Sequence, residues 1–207
     1  MTTARGAEGT AVSVSSLTGP ALVAALPELA RLRMTVFRDW PYLYDGTLDY
    51  EEAYLAKFAA ARGAVCIAAY DGPCMVGAST GGPLVETDAE FILPFEAAGY
   101  ATSKVFYCGE SVLLGSHRGH GLGHAFFDGR EAHARALGGF DWSSFCRVVR
   151  PDDHPLKPSA YRPLDPFWRK RGYAPVDGII ATYAWKDVDQ TAETGHPMQF
   201  WMKSLAP

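Results

Sequence analysis

The sequence contains no apolar run approaching the ~20 residues that a membrane-spanning helix needs. Its first ten residues, MTTARGAEGT, lack the apolar core of a secretory signal. Neither sign of charge dominates: 19 Lys and Arg face 23 Asp and Glu, a formal net charge of -4. The basic residues form no cluster of the kind that phosphate backbones require, so nucleic acid is not expected as a partner. There is no Cys-x-x-Cys pair. Cys66, Cys74, Cys108 and Cys146 each fall in apolar, strand-like runs and read as buried free thiols in a reducing compartment. Repeats, low-complexity tracts and interdomain linkers are also missing. These absences predict a cytoplasmic chain without a membrane segment: one domain over residues 11–207, after ten disordered residues.

What is present alternates between strand and helix signals. AVSVSSL (Ala11 to Leu17) alternates as a strand does. PELARLRMTVFRDW carries Leu29, Leu32 and Val36 on one face and places Pro27 in a first helical turn. WPYLYDGT (Trp40 to Thr47) reads as a loop, and Asp49 with Glu52 as a capping box opening a second helix. AVCIAAY and CMVGAST flank DGP as a hairpin. A short helix is expected over Ala89 to Ala98, a strand over Lys104 to Leu114, a helix over Leu122 to Leu137, and a strand in FDWSSFCRVV. DPFWRKRGY reads as a short helix stopped by Gly172, followed by strands GIIATYAW and PMQFWMKSL. The order predicts a mixed α/β domain.

The stretch HRGHGLGHAFF (His117 to Phe127) sets Gly119, Gly121 and Gly123 on alternate positions beside Arg118, at the start of a helix. Glycines let backbone approach a ligand closely, and unpartnered amides at a helix N-terminus favour an anion. A glycine-rich turn without a ligand is the alternative reading. A Walker A loop is excluded because Gly-Lys-Ser/Thr is missing. The dinucleotide fingerprint fails at its third glycine, which is His124. Arg-x-x-Gly-x-Gly/Ala fits at every fixed position, through Arg118, Gly121 and Gly123.

In this loop the chain resembles the GNAT superfamily of N-acetyltransferases. The order of elements is similar from Val12 to the C-terminus, including FWRKRGY (Phe167 to Tyr173), which is similar to the Phe-Tyr-x-x-x-Gly-Phe end of the family's short helix. The resemblance implies an α+β fold: a central, mostly antiparallel twisted sheet of about six to seven strands, flanked by helices, with a splayed parallel pair at its centre. It implies acetyl-CoA as cosubstrate, with pyrophosphate held by Arg118, Gly119, His120, Gly121, Leu122 and Gly123, and pantetheine along Val112, Leu113 and Leu114. The family often carries a tyrosine as general acid where this chain has Trp168, and a proline where it has Gly115. Tyr161, Cys146 and Tyr107 are alternative proton donors, and a thiolate can also leave by solvent protonation.

Glu110 is the candidate general base, a carboxylate in an otherwise apolar strand, where partial burial would raise its pKa toward neutrality. The alternative is a structural glutamate at a sheet edge or paired with an arginine such as Arg147. His117, His120 and His124 resemble a metal cluster, but the glycines between them suit an anion better than a rigid ligand set, and no metal is expected. The acceptor is expected to be an amine, a small molecule rather than a protein. Trp40, Tyr42 and Tyr44 could wall its pocket, or simply pack on the sheet, and Asp39 or Asp45 could attract an ammonium. A noncatalytic acyl-CoA-binding module is the second reading and a nucleotide-binding protein the third. A homodimer is left open.

Overall fold

The computed structural model of the chain describes residues 3–5 and 11–206. A sheet runs through it, made of β1 (Thr3–Arg5), β2 (Ala11–Leu17), β3 (Val65–Asp71), β4 (Cys74–Pro83), β5 (Val105–Tyr107), β6 (Ser111–Leu113), β7 (Trp142–Val148), β8 (Ala174–Trp185) and β9 (Thr194–Ser204). The strand order is β1-β2-β3-β4-β5-β7-β9-β8, with β6 paired to β4. All neighbours are antiparallel except β5 and β7. With β5 and β6 taken as one interrupted strand and three-residue β1 set aside, the sheet has the expected seven strands. Of the N-terminal ten residues expected to be disordered, Thr3–Arg5 pairs with β2; the rest lie outside the described residues.

The helices are α1 (Gly19–Phe37), α2 (Leu48–Ala60), α3 (Ala89–Ala97), α4 (Leu122–Leu137) and α5 (Asp165–Lys170). Two helix starts differ from the sequence reading. Helix α1 begins eight residues earlier than expected, after Thr18 and with Pro20 in its first turn, so Pro27 lies inside it. Leu22, Ala25 and Leu29 are buried on one continuous face, and that burial outweighs the missing proline donor. The cap of α2 is Thr47 rather than Asp49; its side chain accepts from the Tyr50 amide at 3.4 Å. Three of the four cysteines are buried as expected, but Cys74, at the turn of the β3–β4 hairpin, is exposed.

The expected strand Lys104 to Leu114 is broken in two by a β-bulge. Tyr107 pairs with Gly82, whereas Ser111 pairs with Ser79. Gly109 and Glu110 together face Thr80: the Gly109 amide donates to the Thr80 carbonyl, and the Thr80 amide donates to the Glu110 carbonyl, each at 3.1 Å. One inserted residue reverses the side-chain alternation. Phe106 and Cys108 face the core under α4 (with Leu122 and Phe126), while Glu110 turns to the α1–α2 face with Val112.

A buried cation secures the bulge. Arg130 of α4 is 2% exposed. Its Nη1 donates to the Glu110 carbonyl at 3.0 Å and, more weakly, to the Thr80 carbonyl at 3.5 Å. Its guanidinium lies 4.8 Å from the Phe127 ring centroid. Hydrogen bonds from charged donors are worth ~1.5–3 kcal/mol. Arg130→Met is expected to cost about 2 kcal/mol and lower the thermal midpoint by ~4–8 °C, read from melts of the two proteins.

Candidate functional site: a splayed strand pair and a glycine loop

Parallel pairing of β5 with β7 ends at Tyr107 and Ser144; the last bond is from the Cys108 amide to the Ser144 carbonyl, 2.7 Å. Beyond it β6 stays with β4, and the Phe145–Val148 half of β7 stays with β9. The two central strands therefore diverge just where the bulge sits. Ladder parity decides which atoms of β6 are free. Thr80 donates to the Glu110 carbonyl, and the Leu114 amide donates to the Val76 carbonyl at 3.0 Å. In an antiparallel ladder such residues alternate, so Val112 and Leu114 turn their polar backbone to β4. Ser111 and Leu113 turn theirs into the gap. Of the three residues expected along pantetheine, Leu113 alone turns its backbone edge into the gap; Ser111, which the sequence reading did not single out, does so as well.

The chain then enters the glycine loop. Gly119 and Gly121 have φ of +82° and +83°, a region that L side chains rarely adopt. A Cβ at either would meet nothing within 4 Å, so these glycines serve backbone conformation and leave an open face. Gly121 is the N-cap of α4 and supplies no capping side chain. Among the described residues the amides from Gly119 to Gly123 donate to no backbone carbonyl. These amides at the N-terminus of the 16-residue α4 make an anion cradle. Arg118 donates through Nε to the Leu113 carbonyl at 3.2 Å, which ties the cradle to the free edge of β6. Gly123 lies inside the helix, where a Cβ would touch Phe167 at an ordinary 3.5 Å.

The three histidines diverge. His117 is buried, its Nε2 3.2 Å from Asp71 and its Nδ1 2.9 Å from the Ser116 hydroxyl. His124 sets its ring 4.9 Å from that of Phe167, and His120 is exposed. Among the described residues no group of three His, Cys, Asp or Glu side chains could hold a metal ion. Trp168 packs between Phe145 and Trp201, with ring centroids 5.0 and 5.2 Å away, so it anchors α5 to the splayed half of β7.

Glu110 does not pair with Arg147, which lies 3.6 Å from Asp165. Its Oε2 is 2.6 Å from Nη1 of Arg33 on α1, and Nε of the same arginine is 2.5 Å from Glu51 on α2. The side chains of Glu51, Glu110 and Arg33 are 0%, 4% and 9% exposed. Burial alone would weaken the Arg33 charge, but the two carboxylates outweigh it and raise its pKa further. Oε1 of Glu110 is buried and has no hydrogen-bond partner. The sequence reading missed Arg33 because it is one of several arginines and its partners lie 18 and 77 positions away.

The expected acceptor wall is divided. Tyr42 lies 4.6 Å from Phe37 and 6.0 Å from Trp185, and Tyr44 lies 6.4 Å from Tyr50 (centroid distances). Burial, then the nearby Cys146 and Glu110, pushes the Tyr42 phenol up. Burial and the Glu51 carboxylate do the same for Tyr44. Trp40 turns away to His154 and Tyr161, at 5.1 and 6.0 Å. Asp45 is already paired with Arg38 and with Lys186, and their hydrogen bonds hold its carboxyl below the usual range.

The segment carrying these aromatics is pinned by buried Arg150. It donates to Asp187 through Nη1 (2.5 Å) and Nη2 (2.8 Å), and to the carbonyls of Pro41 and Tyr42. Leu43 sits at φ +56°, uncommon for a branched residue; its carbonyl accepts from Val188 at 2.7 Å. The loop after α1 and the β8–β9 loop are thereby held as one wall. Beside the bulge a small cavity is lined by Tyr54, Thr80, Phe91, Tyr107 and Gly109.

Of the alternative proton donors, Tyr107 and Cys146 face each other, hydroxyl to Sγ 3.1 Å. Burial pushes the Cys146 thiol up to about 12 and the Tyr107 phenol up as well. Both are poor acids. Burial raises the Tyr161 phenol too, against the pull of Arg147.

Solved structures share the overall arrangement of these elements. The chain has the GNAT fold. An aminoglycoside 6'-N-acetyltransferase complexed with coenzyme A is similar over 94% of this chain and 98% of its own, with TM-score 0.58 and 14% identity. An N-acetyltransferase from Staphylococcus aureus Mu50 matches over 94% and 99%, with TM-score 0.58 and 12% identity. A GCN5-related N-acetyltransferase from Kribbella flavida matches over 93% and 97%, with TM-score 0.55 and 13% identity. No family model and no curated protein matches the sequence. At such identities the likeness is one of fold, and the chemistry is argued from this chain's own residues.

The GNAT glycines are separable. Gly121→Ala is expected to cost ~1–2 kcal/mol through its left-handed backbone. Gly123→Ala, in a helix with room for the methyl, is expected to be neutral or to stabilise by up to ~1 kcal/mol. Chemical denaturation of the two variants checks both.

Proposed function

We propose that the protein is an acetyl-CoA-dependent N-acetyltransferase acting on an amine. The observation that carries the reading is the cradle of unpartnered amides, Gly119 to Gly123, at the mouth of a splayed strand pair. A diphosphate would be held by those amides and the dipole of α4, with Arg118 adding charge at the rim. The free edge of β6, at Ser111 and Leu113, is suited to pair with the amides of pantetheine, and the Leu113 amide to meet the thioester oxygen. Bound there, acetyl-CoA would supply an acetyl thioester; in the net reaction a C–N bond replaces the C–S bond. That one of the similar structures is a complex with coenzyme A supports this choice of ligand.

Glu110 is the base in this reading. It sits on the strand that leads to the cradle, turned by the bulge toward the α1–α2 face where Tyr42 and Tyr44 stand. An amine at neutral pH is mostly protonated, and a proton has to go to a nearby acceptor before or as the nitrogen attacks. The Glu110 Oε1 atom, without a protein partner, is that acceptor. Trp168 carries no proton of useful acidity, so the departing thiolate takes its proton from solvent. The acceptor is a small molecule, bounded by the wall that Arg150 holds together. With no hydroxyl at Trp168, a noncatalytic acyl-CoA-binding module is the second reading, and turnover separates the two.

Calorimetry is expected to show coenzyme A binding to the wild type and much weaker binding to Gly121→Val. Thiol release from acetyl-CoA across a panel of primary amines is expected to identify an acceptor. With that acceptor, Glu110→Gln should lower turnover by ~10²–10⁴-fold, flatten the acidic limb of the pH–rate profile and leave acetyl-CoA affinity unchanged. Binding without turnover of any amine would favour the binding module.

A further inference from the structure

Glu110 is one member of a buried three-charge cluster, and the cluster is lopsided. Two carboxylates, Glu51 and Glu110, share one guanidinium, Arg33. Each carboxylate uses Oε2 on the arginine, and Oε1 of Glu51 and Oε1 of Glu110 are both left over; of the two, Glu110 is the one on the strand that leads to the cradle. Side chains with ionised groups this deeply buried persist only when paired, and their geometry is then sharply defined. The Glu110 main chain is fixed independently, by Arg130 on its carbonyl. A single rotamer of the carboxylate therefore follows: one oxygen on Arg33, the other free.

We propose that Arg33, held by Glu51, is a positioning residue for the transfer reaction. It selects Oε1 of Glu110 as the proton acceptor by occupying Oε2. The proposal rests on the reading of Glu110 as the base. As the amine nitrogen bonds to the acetyl carbon, its proton moves to Oε1, and the thiolate departs with the C–S pair. Arg33 never touches the reacting atoms. It acts by occupying Oε2 and by the charge it sets beside it. Its guanidinium is fixed in turn by the rings of Tyr54 and Phe37, 4.6 and 5.0 Å from Cζ to the centroids. A planar fork can hold two carboxylates at once through Nε and Nη1, which an ammonium cannot.

The groups around Glu110 come from several elements. Arg33 comes from α1, Glu51 and Tyr54 from α2, Tyr42 from the loop between them, Cys66 from β3 and Arg130 from α4. Burial pushes both phenols and the Cys66 thiol up, so they stay neutral. Arg130 serves the carbonyl. Arg33 is thus the cation that faces the Glu110 carboxylate itself.

The double variant Arg33→Met/Glu51→Gln removes one charge of each sign, so the cluster keeps its net charge and Glu110 is left as its one carboxylate. Thiol release from acetyl-CoA is measured with the amine that the panel returns, across pH, in wild type, in this variant, in Glu110→Gln and in the triple combination. The expected result is a fall in kcat of at least ~10-fold. KM for acetyl-CoA should stay unchanged, and no further loss should appear when the changes are added to Glu110→Gln. Wild-type kcat in the Arg33→Met/Glu51→Gln protein, while Glu110→Gln is impaired, would overturn the role of Arg33 and leave Glu110 as the base. Wild-type turnover in Glu110→Gln, or turnover of no amine, overturns the parent reading and this one with it. Should the double variant fail to fold, Arg33→Lys decides: a charge that cannot span both carboxylates should lower kcat with KM for acetyl-CoA unchanged, and wild-type kcat there overturns the proposal.

Discussion

The Glu110 main chain is gripped from two sides: by the Thr80 amide across the ladder and by Arg130 from beneath the sheet. This one-residue bulge is the constraint on which the rest of the site depends. It ends the pairing of β5 with β7, because the inserted residue shifts the register by one and sends β6 along β4 alone. It turns a carboxylate that regular alternation would have placed under α4 onto the face of α1 and α2. Gly109 is part of the same constraint, since a Cβ there would come within 2.8 Å of the Thr80 hydroxyl. Opening the strands and aiming the carboxylate are two consequences of one extra residue.

The charges at the site are arranged by depth. At the surface, backbone dipoles do the work: the amides from Gly119 to Gly123 and the N-terminus of α4 supply partial positive charge, and exposed Arg118 joins them. Deeper, full charges are held by fixed partners. Arg33 lies between Glu51 and Glu110, and Arg150 lies between Asp187 and two carbonyls. A buried ion left alone would cost several kcal/mol. Each set also joins distant segments. Arg33 ties α1 to α2 and to the central strand, and Arg150 ties the loop after α1 to β7 and to the β8–β9 loop. The same pairs that neutralise charge therefore hold the walls of the cleft in register.

Much of this was legible in the sequence where the determinant is local. Alternation and helical periodicity located the strands, and α4 has the expected bounds, because Gly121 and Gly138 punctuate it on either side. The spacing of Arg118, Gly121 and Gly123 was enough to point to an anion cradle, since positive φ and free amides are properties of a few consecutive residues. Where local signals competed, the reading missed. Pro27 looked like a helix start, but the burial of Leu22, Ala25 and Leu29 against the sheet carried α1 back to Gly19. Thr47, not Asp49, took the cap of α2, a choice set by where the loop before it was docked.

The sequence by itself determined the class of fold and the glycine loop, because both follow from patterns with periods of two to four residues. The tertiary structure alone decided the partner of Glu110, the face onto which it points and which atoms of β6 stay free. Arg33 and Glu51 come from helices far from β6 in the chain, and nothing in their neighbours marks them out among the other charged residues. The bulge is invisible in VFYCGESVLL because an extra residue leaves no periodic trace in so short a strand. Trp40, Tyr42 and Tyr44 read as one aromatic wall in sequence, yet the docking of Arg150 on the Pro41 and Tyr42 carbonyls sends Trp40 to one side of the loop and the two tyrosines to the other. A side chain's direction in a loop is set by what the backbone is tied to, and those ties are contacts between residues more than a hundred positions apart.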